Sequence, residues 1–333
     1  MKEKNVHLLL VNPWITDFAA YDFWLKPMGL LYLAGVLRQA GYAVRLVDCM
    51  DRAHPELLRW QGLSQPTNRR WSTGKFLRTP IPKPAVYRNM PRLYARYGIP
   101  FEVFAKLCLD GPKPDVILVS SGMTYWYLGV QATIAGLRQL FGDTPILLGG
   151  IYATLCTDHA RRFSGADWVI AGEAEACIEK IVRGSTANTF RQVAFEAAIG
   201  NRATEPQHAA PSLDALPFPA FDLYPKLQAA AIMTSRGCPL KCTFCASRLV
   251  SGPYRWRRID GVIAELDWLH RGLGVNEFAF YDDALLTNRD RHFLPLCEKI
   301  IQHRIAATFH TPNGLQAKFI DRTTAELMWR AGF

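Results

Sequence analysis

Residues Met233–Cys245 read MTSRGCPLKCTFC, and the reading of this stretch decides the fold. It overlaps the end of a short apolar run, Ala229–Thr234, that reads as a strand. Cys238, Cys242 and Cys245 then stand at C-x3-C-x2-C spacing on one loop. Three thiolates so placed ligate three corners of a cubane iron–sulfur cluster and leave the fourth iron without a protein ligand. Electron-transfer clusters typically use four cysteines. An open iron is what a small molecule needs to bind the metal directly. Zinc is the competing reading, but it favours C-x2-C pairs completed by a further Cys or His. No second pair exists, and no histidine lies within the loop. The other five cysteines (Cys49, Cys108, Cys156, Cys177 and Cys297) are scattered among apolar neighbours and read as buried free thiols.

Outward from the loop, strand and helix patterns alternate. Downstream come a helix at Ile259–His270, a strand at Glu277–Tyr281, a helix at Arg289–His303, a strand at Ala306–His310 and a helix at Thr323–Ala331. Upstream, Val6–Val11 is a continuous apolar run, as expected of a strand covered on both faces. A helix opens near Pro27 and closes at Gly41, with Leu30, Leu31, Leu33, Ala34 and Leu37 on one face. Strands follow at Ala43–Asp48, Asp115–Ser120, Pro145–Leu148 and Trp168–Ala171, with helices at Gln131–Leu140, around Ala160 and at Glu173–Val182. This order predicts a parallel, doubly wound sheet, whose ligands bind outside the carboxyl ends of the strands. The loops there carry Asn12, Ser121, Gly122, Gly149, Gly150, Gly172 and Glu173. Glycine and small polar residues let a ligand approach the backbone closely.

Two stretches break the alternation. From about residue 50 to 112 the chain is basic and proline-rich, with no acidic residue between Glu56 and Glu102. Much of the formal net charge of +10 is gathered there. We expect an insertion on the ligand side of the sheet, with weak helical character near Arg92–Leu109. Its interleaved basic and aromatic residues (Trp60, Trp71, Tyr87, Tyr94, Tyr97) fit nucleic acid, an anionic substrate or a cap over a cofactor. No RNA-binding motif accompanies them, so no nucleic-acid partner is expected. Residues 184–228 lose periodicity and read as a surface linker. The 333 residues suffice for two domains. No apolar run reaches the roughly 18 residues that span a bilayer. The N-terminal run MKEKNVHLLLVNPW is too short for a signal segment and ends in Asn-Pro. We expect a cytoplasmic protein.

The cysteine loop resembles that of the radical S-adenosylmethionine (SAM) superfamily. The family's C-x3-C-x-aromatic-C signature is matched by Cys238, Cys242, Phe244 and Cys245. The runs VNPW, KPMGLLYLAGVLRQAGYAVRLVD, ILLGGIYAT and VIAGEAE, in that order ahead of the loop, resemble the cobalamin-binding domain fused to many radical enzymes. With FYDDALLTN, the resemblance covers most of the chain and is weakest over residues 50–112 and 184–228.

The resemblance implies an α/β protein. Its parts would be a Rossmann-like cobalamin-binding domain (1–183), a linker (184–228) and the N-terminal half of a radical SAM (β/α) barrel (229–333), truncated after its third strand–helix unit. It implies a [4Fe–4S] cluster on Cys238, Cys242 and Cys245, with SAM chelating the open iron, and an electron donor such as flavodoxin or ferredoxin. One electron then breaks the sulfonium bond, and the resulting 5′-deoxyadenosyl radical abstracts hydrogen from a small-molecule substrate. Methyl transfer to an unreactive carbon is the expected outcome. Cyclisation, rearrangement or thiolation without cobalamin, or a non-catalytic cluster- or corrinoid-binding protein, are the alternatives.

On the SAM side the resemblance points to Phe244, Asp282, Asp283 and Asn313; plain packing, capping and turn roles compete for each. On the cobalamin side it points to the seven loop residues named above. The chain lacks the D-x-H-x-x-G motif that gives cobalt a histidine: Asp51 and His54 are wrongly spaced, and Asp158 and His159 are adjacent. A cobalamin here would therefore have no histidine on its lower face. Arg236 and Lys241 flank the cysteines, and Arg255, Arg257 and Arg258 follow. They read either as partners for a charged cofactor or anion, or as solvated charge.

Overall fold

A computed structural model describes residues 6–186 and 212–333. Five strands form a wholly parallel sheet: β1 (His7–Asn12), β2 (Ala43–Asp48), β3 (Val116–Val119), β4 (Ile146–Leu148) and β5 (Trp168–Val169). Their spatial order is β5–β4–β3–β1–β2. Chain order reverses between β1 and β3, and the crevice at that switch point is where doubly wound folds take ligands. The strands are apolar on both sides because helices cover both sheet faces. Leu9, Val11, Ile117 and Leu148 face one core, while Leu8, Leu10, Leu118 and Leu147 face the other.

The expected elements recur with ends shifted by a few residues. The last helix of this part is the main exception: it runs Ile178–Thr186 and leaves Gly172–Glu175 as a loop. The basic stretch also differs from a plain insertion. Phe101–Leu109 is the crossover helix between β2 and β3, and its Val103, Phe104 and Cys108 are buried against the sheet. Their i, i+1, i+5 placement turns one face inward. The rest forms small antiparallel ribbons. Arg78–Pro80, Ala95–Tyr97 and Ile15–Asp17 pair in one, and Gly74–Lys75 pairs with Tyr21–Asp22 in another.

The second part carries β6 (Ala230–Ile232), β7 (Glu277–Phe280) and β8 (Thr308–His310), a parallel sheet in the order β6–β7–β8. One face, with Ile232, Phe278, Phe280 and Phe309, is buried under the helices. In-register Ala231, Ala279 and His310 define the opposite face, which is the lumen side in a (β/α) barrel. Among the described residues this sheet is open.

The helix Met28–Gln39 joins the two parts. Its Leu30, Ala34 and Leu37 pack on the five-stranded sheet, while Met28, Leu31 and Tyr32 enter the core around β6–β8. The linker expectation needs correction here. Residues 187–211 lie outside the described residues, but Leu213, Phe221 and Tyr224 are buried. A Cβ added to Gly35 would lie 2.8 Å from the Phe218 carbonyl oxygen, so this segment lies directly on the helix. Prolines hid it: they remove periodicity without removing the apolar side chains that fill the seam. No helix among the described residues is long and apolar enough to cross a membrane.

Candidate functional site

The cysteine loop is built on a fixed neck. Just beyond β6, Ser235–Arg236 pairs antiparallel with Arg255–Trp256, and this two-residue ribbon closes the loop between them. Gly237 has φ +78°, and a Cβ there would come within 2.8 Å of the Gly252 and Pro253 carbonyl oxygens. Glycine is therefore required where the loop leaves its neck. Behind it, the buried Asp282 carboxylate accepts from the Thr234 hydroxyl at 2.7 Å, the Ser235 hydroxyl at 2.5 Å and the Thr234 amide at 3.1 Å. Burial pushes its carboxyl up, while these donors pull the other way. Arg257, also buried, pairs with the fully buried Glu265 at 2.6 Å.

The tip of the loop is different. Cys242 and Cys245 are exposed, Cys238 is half-buried, and all three are free thiols. Cys245 closes a turn through its amide to the Cys242 carbonyl, and its sulfur lies 3.3 Å from the Ser247 hydroxyl. Phe244 is 92% exposed. Among the described residues, no three His, Cys, Asp or Glu side chains are gathered as a metal-holding group. Asp283 lies 3.4 Å from the Ser251 hydroxyl on the same loop, and Asn313 donates to the Tyr281 carbonyl at 2.9 Å. Asp282, expected to meet a ligand, has its oxygens taken by the neck.

At the switch point of the five-stranded sheet, Asn12 donates to Asp48 at 2.7 Å and accepts from Ser120 at 3.1 Å. Tyr224 donates to the other Asp48 oxygen at 2.6 Å. The Ser121 hydroxyl donates to the Gly149 carbonyl at 2.5 Å and accepts from the Ala153 amide at 3.2 Å. Gly150 has φ +95°, and a Cβ there would lie 2.3 Å from the Ser121 carbonyl oxygen. Beside Gly172 the space is open. The sequence therefore brings Asn12, Ser121, Gly122, Gly149, Gly150 and Gly172 to one edge.

Glu173 turns away from that edge toward the cysteine loop. It pairs with Arg255 at 2.5 Å and lies 3.5 Å from Arg236. Glu175 pairs with Arg236 at 2.7 Å, both side chains buried. These ion pairs bind the neck of the loop to the ligand edge of the first sheet. Sequence reasoning missed Glu175, Asp48 and Tyr224, because their partners lie far away in the chain.

No protein-family model matches the chain. Its fold is similar to that of TsrM, a radical SAM methyltransferase from Kitasatospora setae solved with cobalamin and a [4Fe–4S] cluster bound. The TM-score is 0.61 at 16% identity, over 99% of this chain and 59% of that one. The chain shares that overall α/β fold.

An uncharacterized methyltransferase of Pyrococcus horikoshii is 28% identical over 54% of this chain and 41% of its own length. An anaerobic magnesium-protoporphyrin IX monomethyl ester cyclase of Synechocystis is 26% identical over 62% of the chain and 44% of its own length. The chain thus spans less than half the length of these curated relatives.

The residues present fit both groups that such a fold implies. Three free thiols on one loop, two of them exposed, are a donor set for a cluster with one open iron. Just past the edge strand Ala43–Asp48, one Asp51 oxygen is buried with no hydrogen-bond partner. Burial pushes the Asp51 carboxyl up to about 7. A ligand presenting an amide or hydroxyl would satisfy that oxygen.

Proposed function

We propose that this chain is the cofactor-bearing part of a cobalamin-dependent radical SAM enzyme that methylates an unreactive carbon of a small molecule. One arrangement carries the reading: an exposed three-cysteine tip on a rigid neck, ion-paired to the ligand edge of the preceding sheet. When bound, the cluster and cobalamin would supply an electron for sulfonium cleavage and a carrier for the methyl group.

The protein's own part is placement. Cys238, Cys242 and Cys245 hold the cluster. Asp282 and Gly237 fix where their loop leaves the strand. Phe244, Asp283 and Asn313 surround SAM, with Asn313 set by its bond to the Tyr281 carbonyl. Asn12, Ser121, Gly122, Gly149, Gly150 and Gly172 accept the corrinoid edge, and Glu173 with Glu175 keeps the two sites in register. A low-potential donor such as flavodoxin or ferredoxin delivers the electron to the exposed tip. The protein acts in the cytoplasm, where thiols stay reduced.

The test is anaerobic reconstitution with iron and sulfide, followed by SAM and a reductant. Formation of 5′-deoxyadenosine and methionine supports the reading. Tightly held zinc, or absence of an iron-dependent absorption that responds to SAM, overturns it. Titration with hydroxocobalamin separates the cobalamin-dependent chemistry from a radical cyclase that needs none: an unchanged visible spectrum removes the methyl carrier.

A further inference from the structure

The lumen-side face of β6–β8 holds a cluster that the proposed cofactors leave unused. The face is shallow at Ala231 and Ala279, and both residues are fully buried. At its carboxyl end, the His310 ring stacks on Trp24 of the first domain, with centroids 3.9 Å apart and planes 14° from parallel. Its Nε2 lies 2.6 Å from a Glu277 carboxylate oxygen. A carboxylate there selects the tautomer with hydrogen on Nε2 and leaves Nδ1 as an acceptor. Nδ1 has no protein partner among the described residues.

Trp71 of the basic insertion completes the wall, its ring centroid 5.4 Å from that of His310. The Trp24 indole N–H donates to the Trp71 carbonyl at 2.8 Å. Both tryptophans have left-handed backbones, Trp24 at φ +61° and Trp71 at φ +57°. Bulky residues avoid that region, and such strain collects where side-chain placement matters. The Tyr281 hydroxyl holds Trp24 there by donating to its carbonyl at 2.5 Å. The Trp71 ring stays 43% exposed, with the Arg70 guanidinium 4.1 Å from its centre. Arg70 has no carboxylate partner among the described residues, as the surrounding stretch contains none.

We propose that Trp71, His310 and Arg70 form the substrate site, and that it takes a planar aromatic ring carrying an N–H or O–H donor and an anionic substituent. The ring lies on Trp71, the donor meets His310 Nδ1, and the anion meets Arg70. Glu277 and Trp24 are positioning residues: they set the imidazole's tautomer and plane. This deepens the proposed function, on which it rests for the identity of the site as a substrate site.

The test is binding by calorimetry to the isolated full chain, without cluster, cobalamin or SAM. Three monoanions serve as probes: indole-2-carboxylate, 2-naphthoate and cyclohexanecarboxylate. Indole-2-carboxylate should bind best, 2-naphthoate more weakly, and cyclohexanecarboxylate at least about tenfold more weakly than either. Trp71→Ala should weaken both aromatic acids by about tenfold. His310→Gln should bring indole-2-carboxylate down to the level of 2-naphthoate while leaving 2-naphthoate unchanged, which also shows that the variant is folded. Arg70→Gln should weaken both aromatic acids. Equal binding of the cyclic aliphatic acid, or no loss in Trp71→Ala, overturns the site. Such a result leaves 5′-deoxyadenosine formation untouched, so it is distinguishable from failure of the proposed function.

Discussion

The neck and the tip of the cysteine loop follow opposite rules. At the neck, Asp282 has its donors within hydrogen-bond reach, Gly237 is sterically forced, and Arg236 is buried between carboxylates. At the tip, two of three cysteines and Phe244 face solvent. The protein fixes where the loop starts and ends and leaves the sulfurs to be ordered by what they bind. Buried polar groups are stable when satisfied, and Asp282 and Arg236 at the neck meet that condition. The tip has few contacts to lose, so its substitutions should alter chemistry and spare stability.

The largest expected effect tests that separation. Cys245→Ala should remove most bound iron after reconstitution and lower 5′-deoxyadenosine formation by at least about 1000-fold. Its urea midpoint should correspond to a stability change within about 0.5 kcal/mol, as for other exposed positions. A large loss of stability would mean that the tip is part of the folding core.

Asp51 sharpens the contrast, because it is a buried carboxylate without the full set of donors that Asp282 has. Its pKa is raised by burial from 3.8 in ordinary surroundings to about 7. Below pH 4 the group is neutral in both folded and unfolded chains and costs nothing. Between pH 4 and 7 the unfolded chain releases the proton while the folded chain keeps it, so stability falls as pH rises. The full shift corresponds to about 4 kcal/mol. Asp51→Asn should remove this decline, measured as the difference from the parent chain in urea unfolding across pH 4–7. Parallel curves for the two proteins would show that Asp51 is not held neutral by the fold.

Next in size is the link between neck and sheet edge. Glu175→Gln leaves the buried Arg236 charge with Glu173 at 3.5 Å as its nearest remaining carboxylate. Breaking a buried pair typically costs 3–5 kcal/mol, and Glu173 should hold the loss near about 3 kcal/mol. The substitution should also reduce the yield of reconstituted cluster, because Arg236 stands two residues before Cys238. Full stability with full iron loading would reduce this ion pair to a surface contact.

The sequence made the neck's position legible and its attachment illegible. Cys238, Cys242, Cys245 and the strand before them follow from local spacing, as do the alternating strands and the helix Met28–Gln39. Glu175 and Arg236 are separated by 61 positions, and nothing local in either neighbourhood predicts their meeting. The same holds for Trp24 on His310 and for Tyr224 on Asp48. Phe101–Leu109 was legible in principle, since Val103, Phe104 and Cys108 carry a helical apolar stripe. The surrounding prolines and arginines obscured it. Local patterns report which face is apolar; they do not report which partner covers it.

The smallest effect concerns Phe244, and it separates the two roles open to that ring. A side chain 92% exposed buries almost no apolar surface, so Phe244→Ala should change stability by less than about 0.5 kcal/mol. If the ring instead packs on the adenine of SAM once the tip is ordered, the substitution should weaken SAM binding to the reconstituted cluster. The loss of one aromatic contact is worth about 1 kcal/mol, or roughly fivefold in affinity. The two measurements together decide the role. An unchanged fold with weaker SAM binding makes Phe244 a ligand contact that the protein orders only on use. An unchanged fold with unchanged SAM affinity makes the aromatic position of the motif dispensable here, and the tip's contribution then reduces to its three sulfurs.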